Sequence, residues 1–400
     1  MNKLISKLYD ENSFMKVGVG QDENVVFGYG TVNGKLVYAF AQDHDVKNGV
    51  CDETHIDRII RTYRMAIKSG APIVGIFNSS GIVLDGGMNI MEKLGELYSI
   101  QKNEGQTIPQ YMVVEGRCGG GLALAAAMGD FVFVNADGGE LFINSKDTLP
   151  KSKTETTCDA IDYMGNSDEI VSKIKSLIEL LPSNDVEGAS YVPCGEDLNR
   201  GCQVTLGEDD LGRKLAIEVA DDKVFIETKP MQSKNLVTGF AVINGGLAGI
   251  VANNRQEKES RLDIGACHKM TGFIEFCDRF GIPVVSLIDV DGFAAEYETE
   301  ASLSTLAGKL VEVLAKTSVP RVNVVIGNSL GSCHGVLNSH GLGVDYVFAW
   351  EGSQVGLMDK ERYRIIYGEE AQAAVEGSVD KVIYPSDTRK YLIGALETLV

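Results

Sequence analysis

The sequence has no run of about 18 uncharged apolar residues, the length that a membrane-spanning helix requires. Its eight cysteines include no C-x-x-C pair, so the spacing typical of a zinc ribbon is missing. The N-terminal segment 1–14 lacks the apolar core of a signal peptide. These absences predict a protein of the reducing cytoplasm with free thiols, no metal site and no direct membrane insertion.

Positive charge is also scarce, since 37 Lys and Arg face 56 Asp and Glu, for a formal net charge of −19. Nucleic acids and anionic membrane surfaces need a basic footprint, so both are excluded as partners. No Asp or Glu pair stands out as a general acid and base. The acidic residues of the 289–300 region are interpreted as a solvated loop; they are Asp289, Asp291, Glu296, Glu298 and Glu300.

The chain repeats itself. The stretch "KSGAPIVGIFNSSGI" (68–82) resembles "RFGIPVVSLIDVDGF" (279–293). Four landmarks recur 211 residues later: Gly34 as Gly245, Pro72 as Pro283, Pro109 as Pro320 and Gly120 as Gly331. One offset held over four landmarks indicates two homologous halves. We therefore predict a domain over 1–145, a connector over 146–234 with an amphipathic helix at 167–181, and a second domain over 235–400.

Within each half, short apolar strands alternate with helices. In the first half the predicted order is hairpin 25–41, helix 53–69, strand 72–77, helix 88–104, strand 110–114, helix 120–127 and strand 131–134. This order predicts an α/β fold with mostly parallel sheets flanked by helices. Ligands of such sheets bind at the carboxyl ends of the strands. We expect 78–82 to lie near 119–121, and 289–293 near 330–333.

Three consecutive glycines stand out in "EGRCGGGLALAAAMGD" (115–130). No Lys-Ser or Lys-Thr follows them, which rejects a P-loop, and the match to a dinucleotide fingerprint is poor. Two interpretations stay open. The glycines either allow tight packing through small residues, or they expose backbone amides at a helix start that bind a developing oxyanion.

The equivalent turn of the second half, "GNSLG" (327–331), matches the G-x-S-x-G nucleophile elbow of serine hydrolases, with Ser329 at its tip. Such a triad continues with an acid and then a histidine, but no histidine follows Asp345. A Cys333–His334 dyad is disfavoured, because adjacent residues on a helix point in different directions. We interpret His334 as a structural residue at a helix start.

Several segments are similar to one family: "GYGTVNGKLVYAFAQD" (28–43), "IPQYMVVEGRCGGGLALAAAMGDFVFV" (108–134), "LDIGACHKMTGFIEFCDRFGIPVVSLIDVDGF" (262–293) and "GSVDKVIYPSDTR" (377–389). With the duplication, they resemble the carboxyltransferase component of biotin-dependent acyl-CoA carboxylases and decarboxylases, such as propionyl-CoA carboxylase β subunits. The resemblance implies two tandem crotonase-like domains.

It also implies two oxyanion holes. The N-terminal hole, at Gly120 and Gly121, binds the thioester oxygen of an acyl-CoA. The C-terminal hole, at Ser332 and Cys333, binds the ureido oxygen of carboxybiotin. The implied substrate-binding residues around them are Ser80, Gly81, Ile82, Gly119, Gly292, Phe293 and Gly331.

The implied cofactors are coenzyme A, as part of the substrate, and biotin on a separate carrier protein. The implied partners are that carrier, a biotin carboxylase or decarboxylase subunit, and further copies of the chain, with sites between subunits. The sequence also departs from the family, reading "SSGIV" for "SGGAR", "DGF" for "PGF" and "GSCH" for "GGAY". Gly335 aligns with a substrate-discriminating Asp. Two alternatives therefore stay open, a biotin-independent crotonase-like CoA enzyme (decarboxylase, hydratase or isomerase) and a non-catalytic subunit of a carboxylase complex.

Overall fold

The computed structural model describes residues 3–18, 25–83, 88–145, 148, 159–255, 260–367 and 378–399. The chain divides into two compact units, Met1–Gly188 and Ala189–Val400. The boundary lies inside the segment that we interpreted as a connector. Among the described helices, none has both the length and the apolar character needed to cross a bilayer.

The first unit is built on one seven-stranded sheet of order β1-β2-β3-β4-β5-β7-β9, whose first two pairings are antiparallel and the rest parallel. A separate two-stranded parallel pair joins β6 to β8. The elements are α1 Lys3–Leu8, β1 Met15–Val17, β2 Val25–Val32, β3 Lys35–Gln42, α2 Glu53–Ser69, β4 Ile73–Phe77, α3 Asn89–Lys102, β5 Gln110–Val114, β6 Arg117–Gly119, α4 Gly121–Ala127, β7 Phe131–Asn135, β8 Glu140–Phe142, β9 Tyr163–Gly165 and α5 Ser167–Leu180.

The second unit repeats this plan with the sheet order β10-β11-β12-β14-β16-β17-β19, while β18 pairs with β16 and β13 with β15. Here too the first two pairings are antiparallel and the rest parallel. The elements are α6 Leu211–Val219, β10 Phe225–Thr228, β11 Leu236–Ile243, β12 Gly246–Asn253, β13 Arg261–Leu262, α7 Ile264–Arg279, β14 Val284–Val290, β15 Gly292–Phe293, α8 Glu300–Lys316, β16 Arg321–Leu330, α9 Gly331–Asn338, β17 Tyr346–Trp350, β18 Gln354–Gly356, α10 Lys360–Tyr367, β19 Lys381–Ile383 and α11 Thr388–Leu399.

The hairpins β2–β3 and β11–β12 each turn on an Asn-Gly pair with positive φ, +48° and +79° at Asn33 and Gly34, and +51° and +80° at Asn244 and Gly245. Asn-Gly is the preferred pair for such turns because both positions need a left-handed backbone. The Asp10 carboxylate accepts from both amides of the first turn at 3.0 Å. Asp221, 211 residues later, accepts from both amides of the second turn at 3.0 and 2.8 Å.

The equivalent contacts continue along each unit. Asp52 caps α2 by accepting from the backbone N–H three residues on at 2.8 Å, and Asp263 caps α7 in the same way at 2.8 Å. The duplication read from the sequence is therefore also a duplication of hydrogen bonds.

The central parallel strands of both sheets are buried, which explains their continuous apolar sequences. All five residues of β4, β5 and β7 are buried, as are all seven of β14. Strands covered on both faces read as continuous apolar runs, which confirms the predicted α/β class with mostly parallel sheets. The predicted helix at 167–181 is α5, which begins with a capping box at Asn166. The sequence interpretation missed α6 and β10, which belong to the second unit.

Candidate active site at two equivalent glycine turns

In the first unit, the carboxyl ends of β4 and β5 open onto one cavity of about 660 Å³. The loop after β4 forms one side, and the glycine turn between β6 and α4 forms the other. All six residues that were expected around the N-terminal hole line this cavity: Ser80, Gly81, Ile82, Gly119, Gly120 and Gly121. The topology of a parallel sheet thus brings together two segments about 40 residues apart in the chain.

Each of the three glycines has a local structural reason. A side chain at Gly119 would place its first carbon 2.5 Å from the ring of Phe142. Gly120 has φ +60° and ψ −130°, a backbone conformation that disfavours residues with a Cβ atom. A side chain at Gly121 would start 2.8 Å from Cδ1 of Leu94. Packing therefore accounts for two of the glycines and backbone conformation for the third, whether or not a ligand binds.

The backbone amides of Gly120 and Gly121 differ in whether they already have an acceptor within the protein. The N–H of Gly120 donates to the carbonyl of Phe142 at 3.0 Å, so that amide, one of the two expected donors, is already occupied. Gly121 is the first residue of α4, and the first N–H groups of a helix have no acceptor within it. The amide of Gly121 therefore has no acceptor within α4, and the residue lines the cavity at the positive end of the helix dipole.

The loop after β4 presents a second amide. Cys51 donates to the carbonyl of Gly81 at 2.8 Å, and Val83 donates to the carbonyl of Cys51 at 2.9 Å. Backbone groups of an extended segment alternate in direction, so the intervening N–H of Ile82 points away from Cys51. Gly81 makes this bend possible with φ +118°.

The sequence interpretation did not identify the side chains that complete the cavity wall: Met91, Leu94, Tyr98, Arg117, Leu124, Phe142 and Ser145. Tyr98 donates to the carbonyl of Gly121 at 2.8 Å, and burial raises the pKa of its hydroxyl, so it stays protonated. The Arg117 guanidinium lies over the Phe142 ring, 5.3 Å from its centroid. Arg117 is part of the motif "GRCGGG", but nothing in the sequence shows that it lines the cavity.

The second unit carries the same turn with different residues. Gly292 and Gly331 have φ +132° and +63°, which match Gly81 and Gly120. Ser332 takes the place of Gly121, while Cys333 corresponds to Leu122 by the 211-residue offset. The Cys333 side chain is fully buried and burial raises the pKa of its thiol, so the thiol is not an exposed nucleophile. Only backbone groups of Cys333 are suited to binding.

The solvated-loop interpretation is wrong for Asp289 and Asp291. Asp289 is 5% exposed and is the next-to-last residue of β14, where its carboxylate accepts from Nε of Arg255 at 2.6 Å and from the backbone amide of Asn328 at 2.7 Å. Asp291 accepts from the side-chain amide of Asn328 at 2.6 Å and from Arg255 at 3.2 Å. Glu296, Glu298 and Glu300 are exposed, and Glu300 begins α8. The two aspartates connect the 291–293 loop to the end of β16.

Replacing Arg255 with leucine is expected to loosen that loop, because Asp289 and Asp291 would repel each other without the cation. The measurement is hydrogen exchange at the amides of Gly292 and Phe293, which should speed up about tenfold. The matched control is His44→Leu, since His44 lies 211 residues earlier and makes one 3.4 Å contact with Ser80. Equal exchange in wild type and the Arg255 variant would contradict this role.

Ser329 does not have the exposed position of a nucleophile elbow. Its side chain is 0% exposed, and its hydroxyl lies 3.0 Å from Nδ1 of His334. A catalytic serine needs its oxygen at an accessible turn. The geometry therefore gives no support to a serine hydrolase, and it shows that His334 is held by Ser329 rather than paired with Cys333.

Comparisons with known proteins agree on one family. The profile of the carboxyl transferase domain family matches residues 9–377. The methylmalonyl-CoA decarboxylase subunit alpha of Veillonella parvula is 32% identical, over 99% of this chain and 89% of the relative. The propionyl-CoA carboxylase beta chain of Roseobacter denitrificans is 29% identical, over 94% of this chain and 83% of the relative.

A solved structure is similar over nearly the whole chain. It is transcarboxylase 12S, described as a hexamer with methylmalonyl-coenzyme A and methylmalonic acid bound. The TM-score is 0.90 at 26% identity, over 99% of this chain and 89% of that one.

Proposed function

The chain belongs to the carboxyl transferase domain family, and from this membership we propose that it is the carboxyltransferase component of a biotin-dependent acyl-CoA carboxylase or decarboxylase. Its acyl substrate would be a short acyl-CoA of the methylmalonyl or propionyl class, as the names of the relatives suggest. Its second substrate would be biotin on a separate carrier protein, as the family resemblance implies. The observation that carries the proposal is the duplicated turn: Gly81 and Gly120 of the first unit have positive φ, and so do Gly292 and Gly331, which lie 211 residues later in the second unit.

In the first unit, the amides of Gly121 and Ile82 would bind the thioester oxygen of the acyl-CoA. When the carboxyl group leaves the α-carbon, the electron pair of the broken bond moves into the thioester and forms an enolate. Amide donors at that oxygen stabilise the enolate more than the ground state, and one such donor is worth roughly 3 kcal/mol of barrier.

In the second unit, the amides of Ser332 and Phe293 occupy the places that correspond to Gly121 and Ile82. The amide of Cys333 follows in the same turn. These groups would bind the ureido oxygen of biotin. The released carboxyl carbon would bond to N1 of biotin and the N1 proton would pass to the α-carbon, a transfer that requires no side-chain acid or base. The two carboxylates beside the second turn, Asp289 and Asp291, are engaged by Arg255 and Asn328, which agrees with a reaction that uses no carboxylate as acid or base.

The proposal is tested by supplying methylmalonyl-CoA as carboxyl donor and free biotin as acceptor. We expect propionyl-CoA and carboxybiotin to form together and in equal amounts. If methylmalonyl-CoA binds but loses carbon dioxide at the same rate with and without biotin, the chain is a biotin-independent enzyme. If calorimetry shows no binding of acyl-CoA, both enzymatic proposals fail and a non-catalytic subunit role remains.

One observation favours the biotin-independent alternative as second candidate. The second turn carries Ser332 where the first carries Gly121, and its loop is held by Asp291 and Arg255 rather than by a serine and a histidine. The turn assigned to biotin has therefore lost the glycine pair of the family, whereas the turn assigned to the acyl-CoA keeps Gly120 and Gly121. The biotin dependence of the rate separates the two candidates.

Assembly is part of the proposal. The matched transcarboxylase 12S is described as a hexamer, and we expect this chain to form a homo-oligomer as well. Sedimentation analysis of the purified protein measures this directly.

A further inference from the structure

A chain of polar side chains lies beneath the second glycine turn and leads to His334. Its buried members are Asn323, Asn338 and Ser329, which are 2%, 2% and 0% exposed. The first unit has apolar or weakly polar residues at all four equivalent places, 211 residues earlier: Met112, Ala127, Cys118 and Ala123. The fold therefore does not need these polar groups, since the other copy is built without them.

The directions of the hydrogen bonds among the two asparagines and Ser329 follow from one carbonyl. Asn323 lies 2.7 Å from the carbonyl oxygen of Leu337, which can only accept, so the atom facing it is Nδ2. The same Nδ2 lies 3.1 Å from Asn338, whose facing atom must then be the acceptor Oδ1. The other end of that amide, Nδ2 of Asn338, donates to the hydroxyl of Ser329 at 2.9 Å.

Because Ser329 accepts from Asn338, its own proton is free to go to His334. The Ser329 hydroxyl lies 3.0 Å from Nδ1 of His334, and Nδ2 of Asn338 is also within 3.4 Å of that nitrogen. Two donors facing Nδ1 make it an acceptor, and a neutral imidazole that accepts at Nδ1 carries its proton on Nε2. Burial lowers the pKa of His334, and the adjacent helix N-terminus also disfavours an imidazolium.

The ring lies at the N-terminal end of α9. Long side chains on a helix lean toward its N-terminus, and the contact with Ser329, which precedes the helix, shows that His334 does so. The residue is only partly buried. Since Nδ1 faces the buried hydroxyl, the accessible edge of the ring carries Nε2. The next residue, Gly335, leaves open space beside it, because a side chain there would meet nothing within 4 Å.

We infer that His334 is a hydrogen-bond donor of the second turn, whose Nε2–H binds an oxygen of the carboxylated urea ring of biotin beside the amide of Ser332. This inference rests on the proposed function. Asn323, Asn338 and Ser329 touch no substrate and are positioning residues that orient the imidazole and select its tautomer. The oxygen next to Ser332 gains a side-chain donor that the first turn lacks, since Ala123 stands in the place of His334.

The tautomer is tested without any substrate, by ¹⁵N NMR of protein labelled at its five histidines. His334→Gln assigns the resonance of interest, and the exposed His268→Gln serves as the matched control. At neutral pH we expect Nδ1 of His334 to be unprotonated and Nε2 to carry the proton. Ser329→Ala should weaken that preference. A proton on Nδ1 in the wild type would overturn the donor chain.

The binding role is tested with methylmalonyl-CoA as donor and free biotin as acceptor. His334→Leu should lower kcat/KM for biotin roughly a hundredfold, the effect of losing one donor to a developing anion, while KM for methylmalonyl-CoA stays unchanged. His334→Gln keeps an N–H donor and should recover about tenfold of this loss. His268→Gln should behave like wild type.

The outcomes distinguish this inference from the proposed function. If the wild type carboxylates biotin and His334→Leu does so equally well, the inference is wrong while the proposed function stands. If the wild type transfers nothing to biotin, the proposed function fails and the binding role of His334 fails with it. The NMR result is unaffected by either outcome.

Discussion

Replacing Gly121 with valine is expected to lower turnover of an acyl-CoA about a hundredfold to a thousandfold and to leave the fold intact. The branched side chain would stand at the start of α4, where the thioester oxygen has to approach the amide. Its first carbon would lie 2.8 Å from Cδ1 of Leu94 and 2.9 Å from the hydroxyl of Tyr98. Both are ends of side chains that can move, so the clash falls on the cavity rather than on the backbone.

Turnover is measured at saturating methylmalonyl-CoA, and the fold is checked by circular dichroism and thermal unfolding. Gly95→Ala is the matched control, because Gly95 lies in α3 of the same unit and a side chain there meets nothing within 4 Å. Gly121→Ala should fall between the control and the valine variant. Full turnover by Gly121→Val would show that no oxygen binds at this amide, and the packing interpretation of the glycines would then suffice.

Replacing Arg389 with methionine is expected to lower the free energy of unfolding of the second unit by about 3–5 kcal/mol. The Arg389 side chain is 0% exposed and lies 2.6 Å from Asp221 and 3.3 Å from Glu196. Removing the cation leaves the Asp221 carboxylate beside that of Glu196 without a positive partner. This destabilises the fold more than replacing both members of an ion pair with apolar residues. Asp221 in turn holds both amides of the Asn244-Gly245 turn, so the hairpin loses support as well.

The only tryptophan makes this measurable in one unit of the chain. Trp350 is 1% exposed, and its indole N–H donates to Thr388, the residue before Arg389, at 2.8 Å. Urea unfolding followed by its fluorescence therefore reports on the second unit. The double variant Arg389→Met, Asp221→Asn should recover more than half of the loss, because it removes the unpaired charge. A fluorescence midpoint equal to that of wild type would contradict the role of the pair.

The same pair predicts a pH dependence. Burial alone would raise the pKa of Asp221. Hydrogen bonds from the Gly245 amide and the Arg389 guanidinium outweigh burial and hold this pKa below its ordinary value. A carboxyl whose folded pKa is depressed stabilises the fold above its unfolded pKa, about 4, and this contribution is lost as pH falls through the folded value. The difference between wild type and Arg389→Met should thus be full at neutral pH and shrink below about pH 4.

Much of the fold could be predicted because the signals are local. The predicted helix at 53–69 is Glu53–Ser69, and the predicted strand at 110–114 is Gln110–Val114. The helix Leu211–Val219 was missed although its buried residues Leu211, Leu215 and Val219 recur at helical spacing, because it has only nine residues and lies in a polar, charged segment that resembles a loop.

The location of the candidate site could be predicted from the sequence, but the hydrogen-bond partners within it could not. Parallel topology puts the glycine turn beside the loop after β4, but the partner of each amide depends on distant chain. Whether Gly120 can donate to a ligand depends on Phe142, and whether Asp289 is solvated depends on Arg255, 34 residues earlier. The polar chain under His334 uses an asparagine from β16 and another from the end of α9. No local pattern links them.

The duplicated hydrogen bonds also make the chain a record of its own history. Two copies of one ancestral unit have drifted within a single gene, under the same cell, temperature and folding machinery. The turn aspartates and the helix caps are present in both copies, with the same hydrogen bonds. Gly121 against Ser332 and Ala123 against His334 are where the copies parted, and an ancestral unit rebuilt as an identical pair would show which divergence came first.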